Sequence, residues 1–306
     1  MSERWLVTGA LGCIGAWTCA VLAEEGADVV GFDLGTNDAR LRLAGAAGVP
    51  VVRGSITERG ALERVLDEHR ITHVVHLAAL QIPLVRADPS NGAAVNIVGT
   101  VNVLEAAKAR GLRVAYASSA AVFSQADGHG GPVPHEAEGH PTTFYGVHKQ
   151  ACEGLASVYW LEEQVPSIGI RPFVIYGPGR DTGLTASPTL AMAAAARGED
   201  STIAFGGRTQ LQYAPDAGRV FAAAARAATD GARVFHLGGP AATLAETATA
   251  IEAVSGTTVT VDESTVLPFP EEFDGAPLAD ALGGITWTPL EQGVAETVER
   301  LRAVPG

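Results

Sequence analysis

Short apolar runs alternate with longer helical patterns through the first half of the chain. The helical patterns fall at about 13–25, 57–69, 87–110 and 143–164. Strand–helix alternation of this kind predicts an α/β fold with a doubly wound parallel sheet and right-handed crossovers. The runs between the helices show little alternation, which is typical of strands buried on both faces of a sheet: RWLVTG (4–9), DVVGFD (28–33), PVVRG (50–54), THVVHLA (72–78), LRVAYAS (112–118) and IGIRPFVIYG (168–177).

Beyond residue 177 the pattern becomes less regular. We expect residues 1–177 to form one domain, to which segments near 211–238 return, and residues 178–306 to form mainly a smaller α/β lobe that binds substrate. The elements predicted there are helices at 188–197, 216–228, 242–255 and from about 289, with strands at 202–205, 232–238 and 257–261.

One long segment, 124–142, has neither a helical nor a strand period. A loop of this length in a compact domain is typical of a lid or binding loop. We therefore expect a mobile, polar flap over the site. Its histidines, His129, His135 and His140, match no metal-ligand spacing, so no metal site is predicted.

Composition narrows the class of protein. The chain has 306 residues, 47% of them hydrophobic and 18% charged, as in a globular protein. No apolar run reaches the roughly 18 residues of a membrane span, and the start MSERW is not a secretory leader. Three cysteines form no disulfide framework, and a net charge of −13 disfavours nucleic-acid binding. We expect a cytoplasmic protein without membrane or nucleic-acid partners.

Three glycines in VTGALGCIG, at positions 9, 12 and 15, follow the first predicted strand and open the first helix. Glycine there allows a tight turn and lets the backbone approach a pyrophosphate at the helix N-terminus. Asp33 ends the second predicted strand, where a carboxylate accepts hydrogen bonds from adenosine ribose hydroxyls and repels the 2′-phosphate of NADP. The pattern predicts a Rossmann-type domain that binds NAD, although Asp33 could instead only cap a turn.

The stretch FYGVHKQ (144–150) places Tyr145 and Lys149 four residues apart, on one face of a helix. Together with VTGALGCIG, Asp33, HLAAL (76–80) and SSAAVF (118–123), it resembles the extended short-chain dehydrogenase/reductases, in particular their NAD-dependent epimerase/dehydratase branch. The resemblance runs from about residue 4 to 177 and continues more weakly to the terminal helix.

The resemblance implies three catalytic residues. Tyr145 would be the general acid/base, and a lysine cation one turn away favours the deprotonated form of a phenol. Lys149 would also bind the nicotinamide ribose. Ser119 would hold the substrate oxygen, with Ser118 as the neighbouring alternative.

The resemblance also implies the cofactor contacts. For Asn96, a role in binding backbone groups of its own surroundings is an equal alternative. The complete expected set is Gly9, Gly12, Cys13, Ile14, Gly15, Asp33, Ser55, Ile56, Leu77, Ala78, Ala79, Asn96, Tyr145, Lys149 and Phe173.

Departures from the family pattern bear on the substrate. Val174 replaces an asparagine common in nucleotide-sugar epimerases, and Thr209 aligns with a diphosphate-binding arginine, although Arg208 is adjacent. The stretch PFPEEFDGAPLADA (268–281), where a second such arginine is usual, has no cation. Because diphosphates are recognised mainly by charge-assisted hydrogen bonds, a UDP-sugar is disfavoured.

We therefore expect a NAD-dependent oxidoreductase that removes hydride from a secondary alcohol carbon of a small sugar-like, sugar-acid or hydroxy-acid substrate. The expected substrate contacts are Gln81, Ser119, Tyr145 and Arg180. The alternative is a sugar epimerase that forms the same ketone transiently. By the same resemblance, we expect a homodimer formed through the helices at 87–110 and 143–164.

Overall fold

A computed structural model describes residues 3–128, 130–228 and 230–303. The described residues form a seven-stranded parallel sheet in the order β3-β2-β1-β4-β5-β6-β10, a mixed sheet β11-β9-β7 and a parallel pair β12-β8. The strands are β1 (Arg4–Thr8), β2 (Asp28–Asp33), β3 (Val51–Arg53), β4 (His73–His76), β5 (Val114–Ala117), β6 (Ser167–Arg171), β7 (Val174–Tyr176), β8 (Ser201–Ile203), β9 (Arg208–Tyr213), β10 (Ala232–His236), β11 (Ala241–Thr243) and β12 (Val259–Val261).

Helices cover both faces of the large sheet, so the predicted fold class is confirmed: a Rossmann-like α/β fold with a smaller mixed C-terminal sheet. The helices are α1 (Cys13–Glu24), α2 (Ala39–Ala44), α3 (Arg59–Glu68), α4 (Ile82–Ala87), α5 (Pro89–Ala93), α6 (Gly99–Lys108), α7 (Phe144–Glu163), α8 (Ser187–Ala196), α9 (Ala214–Arg226), α10 (Leu244–Ser255), α11 (Ala276–Leu282) and α12 (Leu290–Ala303).

Two apolar cores lie on opposite sides of the large sheet. On β1, Trp5 and Val7 join the core that contains α1 and α9, whereas Leu6 joins the core that contains α3 and α6. Alternate residues of one strand therefore supply both cores, which explains the nearly continuous apolar runs of the sequence. A third core joins β7 and β9 to α8, α10 and α12 in the smaller part of the fold.

The prediction of one strand over 168–177 was wrong. Pro172 and Phe173 interrupt it, and the chain passes from β6 in the large sheet to β7 in the mixed sheet. Proline has no N–H to donate to a ladder. The Pro172 carbonyl accepts from the Ala120 amide, and the Phe173 amide donates to the Gln212 side chain.

The helical pattern at 87–110 is also divided. Asp88 ends α4 and caps α5, accepting from the Asn91 amide, and Pro89 starts α5. A π-helical turn over Ala94–Val98 then leads into α6. Such turns commonly lie at functional sites, and this one contains Asn96.

Described residues of the segment 124–142 make specific contacts and include a buried apolar residue, whereas the expected mobility of the segment stays a prediction. Val133 is fully buried and pairs with Phe273 in a β-bridge. Asp127 accepts from the amide of His140 and contacts its ring at 2.7 Å. His129 lies outside the described residues. Among the described residues, no helix is both long enough and apolar enough to cross a membrane.

We expect Gly218→Ala to lower the free energy of unfolding by about 1–3 kcal/mol, since overpacking has that cost. A Cβ at Gly218, on α9, would lie 2.8 Å from the backbone carbon of Trp17 and push α1 and α9 apart. The matched control is Gly154→Ala, in open space on α7, which should be neutral or stabilising by about 0.5–1 kcal/mol. Urea denaturation measures both, and equal effects would contradict this close packing.

Candidate active site

The glycine turn, residues 9–15, is held in place by close backbone contacts. Gly9 has a φ of +70°, and a Cβ there would lie 2.7 Å from the Ala78 nitrogen. A Cβ at Gly15 would collide with the Gly9 oxygen. Gly12 is the N-cap of α1, and no side chain there accepts a hydrogen bond from the first amides of the helix. This geometry suits an anion at the helix N-terminus.

Asp33 joins the end of β2 to the glycine turn. Its Oδ2 accepts from the Leu11 amide at 3.0 Å and its Oδ1 accepts from the Gly35 amide at 2.9 Å. The carboxylate therefore caps a turn, as in the alternative interpretation, and at the same time lies beside the glycine turn, as ribose binding requires. Arg40, which the sequence analysis did not single out, donates from Nη1 to the Leu11 carbonyl at 3.0 Å.

The other predicted cofactor residues differ in their burial and in their hydrogen-bond partners. Cys13 and Ile14 begin α1, and burial raises the pKa of the Cys13 thiol to about 11. Ser55 bonds the Thr57 hydroxyl at 2.7 Å. Ile56 is buried against Gly99. The half-buried Leu77, Ala78 and Ala79 form the loop that follows β4 under Gly9.

Asn96 acts on that same loop. Its Oδ1 accepts from the Leu80 amide at 2.7 Å and its Nδ2 donates to the Leu80 carbonyl at 2.9 Å. Because both amide atoms are engaged by one backbone unit and the side chain is buried, the structure favours the alternative named for Asn96. Asn96 thus positions the loop after β4, and its direct contact with a cofactor stays a prediction.

A buried polar network lies next to this loop. The His76 ring contacts the Thr8 hydroxyl through Nδ1 at 2.7 Å and the Thr100 hydroxyl through Nε2 at 3.1 Å. Thr100 donates in turn to the Asn96 carbonyl at 2.7 Å. Burial, assisted by Lys149, lowers the pKa of His76 to about 3. His76 is therefore neutral and structural, and it does not act as a proton-transfer group near neutral pH.

Tyr145 and Lys149 lie in the first turns of α7. Thr143 caps this helix by accepting from the Gly146 amide at 3.0 Å. Lys149 is buried and donates from Nζ to the Ala117 carbonyl at 2.7 Å, which ties α7 to the end of β5. Its Nζ lies 5.6 Å from the centroid of the Tyr145 ring. The tyrosine is half-buried, so the cation lies close to a phenol that remains accessible.

The two neighbouring serines have different partners. The Ser118 hydroxyl donates to Glu153 Oε1 at 2.5 Å and is buried. The Ser119 oxygen accepts from the Ala121 amide at 3.1 Å and is half-buried, so its proton remains available to a ligand. The structure therefore favours Ser119 over Ser118 as the substrate-binding hydroxyl.

Glu153 and Arg171 form a connection that the sequence analysis missed. Arg171, at the end of β6, donates from Nε and Nη2 to the Glu153 carboxylate at 2.8 and 2.7 Å. Both side chains are only 11% exposed. The position of Glu153, four residues after Lys149 on the same helix face, was the available signal.

Phe173 and two of the substrate candidates, Gln81 and Arg180, have different neighbours. The Phe173 ring packs against Phe273 and Phe269 in the smaller lobe, and its contact with a cofactor stays a prediction. Gln81 and Arg180, in contrast, are brought together, with Gln81 Oε1 3.5 Å from Arg180 Nη1.

The structure also locates the residues compared with diphosphate-binding arginines. Arg208 is on the surface, where it pairs with Glu272 at 2.6 Å. Thr209 is buried. Aligning Arg208 instead of Thr209 with the arginine of the family would require a one-residue shift of β9. Such a shift would exchange the two faces of the strand. Among the described residues, no group of three or more histidine, cysteine or acidic side chains could hold a metal ion.

A glycine turn at the carboxyl end of the first strand of a parallel sheet, together with Tyr145 and Lys149 on α7, defines a short-chain dehydrogenase/reductase of the extended type. Residues 5–238 match the NAD dependent epimerase/dehydratase family, and the chain belongs to this family. This family is one of NAD-dependent enzymes, and the proteins similar to this chain include epimerases and dehydrogenases.

Known relatives fall in both groups. UDP-glucuronate 4-epimerase 3 of Arabidopsis thaliana is 33% identical over 187 residues, which are 56% of this chain and 42% of that protein. The chain thus spans about two fifths of the length of such curated relatives.

Two solved structures cover nearly the whole chain. A partial consensus L-threonine 3-dehydrogenase is 26% identical, with a TM-score of 0.86 over 99% of this chain and all of the other. The UDP-glucose 4-epimerase of Thermus thermophilus, solved with NAD, is 25% identical, with a TM-score of 0.84 over 98% of this chain and 99% of the other.

We expect Glu153→Ala to lower the free energy of unfolding by about 3–5 kcal/mol, because it leaves the Arg171 charge nearly buried without its partner. The control is Glu163→Ala on the same helix, where the Lys108 pair is exposed and should be worth less than about 1 kcal/mol. Chemical denaturation at pH 7 measures both. Similar losses in the two variants would refute the special role of the Glu153–Arg171 pair.

Proposed function

We propose that the protein is a NAD-dependent oxidoreductase that converts a secondary alcohol of a small substrate to a ketone. The observation that carries the proposal is the joint placement of Ser119, Tyr145 and Lys149 at the carboxyl end of β5 and the start of α7. Parallel α/β sheets bind their ligands at this end.

In this proposal the residues divide the work of one oxidation. The Ser119 hydroxyl donates a hydrogen bond to the substrate oxygen and fixes its position. The Tyr145 phenolate takes the hydroxyl proton as the alcohol carbon loses hydride. The Lys149 ammonium, held by the Ala117 carbonyl, stabilises the phenolate by its charge. Bound NAD⁺ supplies the hydride acceptor.

The residues around the glycine turn fit NAD. No side chain caps the start of α1, so its first amides would bind a pyrophosphate, and Asp33, beside the turn, would accept from the ribose hydroxyls. Among the remaining predicted contacts, Gly9, Gly12, Cys13, Ile14 and Gly15 would line the pyrophosphate, and Ser55 with Ile56 would lie beside the adenine.

The smaller lobe supports a small substrate over a nucleotide sugar. Arg208 is engaged with Glu272, Thr209 is buried, and residues 268–281 carry no cation. The L-threonine 3-dehydrogenase structure shows that a dehydrogenase has this whole fold. The second candidate is a UDP-sugar epimerase, which the similarity to the UDP-glucuronate 4-epimerases favours.

We also propose a cytoplasmic homodimer. Val147, Val158 and Leu161 are exposed large apolar residues on one face of α7. Val98, at the end of the π-helical turn before α6, is exposed as well. An apolar face of this kind on a helix is typical of an interface.

The proposal predicts NADH formation from NAD⁺ by the purified protein with a member of a panel of free sugars, sugar acids, polyols and threonine. Tyr145→Phe should lower the rate at least about 100-fold, the typical contribution of a general base. Absorbance at the NADH band measures both. Interconversion of UDP-glucose or UDP-glucuronate with their C4 epimers, without net NADH, would overturn the proposal in favour of the epimerase.

Asp33 is expected to set the preference for NAD over NADP. Asp33→Asn should weaken NAD⁺ binding about tenfold and reduce its preference over NADP⁺, because the carboxylate no longer repels a 2′-phosphate. Calorimetric titration with each dinucleotide measures this. Asp28→Asn, at the exposed start of β2, serves as control. An unchanged ratio of the two affinities would mean that Asp33 only caps its turn.

A further inference from the structure

Arg180 lies in the loop that follows β7, residues 177–186, and its guanidinium points toward the loop after β4. Nη2 donates to the Thr185 hydroxyl at 3.1 Å, and Nη1 lies 3.5 Å from Gln81 Oε1. Gly183 completes the surroundings, since a Cβ there would collide with Gln81 Oε1 and lie 3.0 Å from Arg180 Nη2. The head group is thus fixed by neutral groups.

No carboxylate neutralises this cation within the described residues. The nearest acid in sequence, Asp181, forms its ion pair with Arg40 instead. Arg180 itself takes part in no ion pair among the described residues, and its Nε is buried without a hydrogen-bond partner there. The side chains of Arg40, Arg180 and Asp181 together therefore carry an excess positive charge. A half-buried charge held only by neutral groups is costly unless a ligand completes its environment.

The loop that carries Arg180 contacts the glycine turn, because the Pro178 carbonyl lies 4.0 Å from Cys13 Sγ. Burial lowers the pKa of Arg180, while Cys13, Tyr145 and Asp181 act in the opposite direction. Cys13 belongs to the glycine turn, and Tyr145 is the proposed base. An anion bound by Arg180 would therefore lie next to the reacting alcohol.

We infer that Arg180 binds the carboxylate of the substrate, with Gln81 and Thr185 as positioning residues. This narrows the proposed function, on which it rests, to small hydroxy acids or sugar acids. A single planar guanidinium matches a carboxylate in a two-bond arrangement. The cofactor pyrophosphate is the other source of an anion near Cys13, and the experiment separates the two.

The first arm measures binding without turnover. The enzyme with NADH bound is titrated calorimetrically with 3-hydroxybutyrate and with its neutral amide, in wild type, Arg180→Gln and Arg197→Gln. Arg197 pairs with Glu199 on the surface and is the matched control. We expect the acid to bind wild type and the control at least about tenfold more tightly than the amide, and Arg180→Gln to lose this preference, because hydrogen bonds to a charged group have that worth.

The second arm measures NADH and NAD⁺ affinity in the same variants. Our inference requires the affinity of Arg180→Gln for NADH and NAD⁺ to stay within about threefold of the wild-type affinity. A loss of dinucleotide affinity with no change in the preference for acid over amide would assign Arg180 to the pyrophosphate and overturn the inference. No preference for the acid in wild type would also overturn it.

The third arm is turnover. Arg180→Lys, which keeps the charge but not the planar fork, should restore part of the rate on acids that Arg180→Gln has lost, with most of the change in KM. If no substrate yields NADH but the first arm shows the preference, the proposed function fails while the carboxylate site stands. If NADH forms equally from acids and neutral alcohols, the site fails while the function stands.

Discussion

The whole candidate site depends on one face of α7, which is fixed to the carboxyl ends of two adjacent strands. Lys149 binds the Ala117 carbonyl at the end of β5, and Glu153 binds both the Ser118 hydroxyl and Arg171 at the end of β6. Tyr145 lies one turn before Lys149 on the same face. Because these bonds are charge-assisted and largely buried, they hold the helix more firmly than a neutral surface contact would. The loops that carry Ser119 and Phe173 begin at the strand ends that these bonds hold. The bonds therefore fix the positions of Ser119 and Phe173 relative to Tyr145.

The parts of the site that could be predicted from the sequence are those whose chemistry is local. The glycine turn, the acid that ends β2 and the tyrosine–lysine pair each lie within one turn or one strand end, and strand–helix alternation indicated the sheet. Glu153 and Arg171 lie 18 residues apart on different elements, so no local period reveals their ion pair, although the spacing of Glu153 from Lys149 indicated its helix face. The polar β9 was missed because Gln210 and Gln212 look exposed in sequence, whereas both are buried and bind backbone groups of neighbouring segments.

The residues that separate a dehydrogenase from an epimerase lie away from the catalytic ones. Both reactions need the same base and the same hydride acceptor, so similarity in the first domain is compatible with either. The distinction depends on what holds the rest of the substrate. On that side, Arg208 is already paired with an acid and Thr209 is buried. Arg180, in contrast, is held by the neutral side chains of Thr185 and Gln81, and its planar guanidinium matches a carboxylate.

The loop that carries Arg180 also contacts the cofactor turn. The Trp17 indole on α1 donates to the Pro178 carbonyl at 2.8 Å, and Arg40 bridges the Leu11 carbonyl to Asp181. One segment, residues 177–186, therefore contacts the elements around the glycine turn and also carries Arg180, the proposed ligand of the substrate carboxylate. A shift of this segment on binding either ligand would change the geometry offered to the other, and such coupling is reciprocal by thermodynamic necessity.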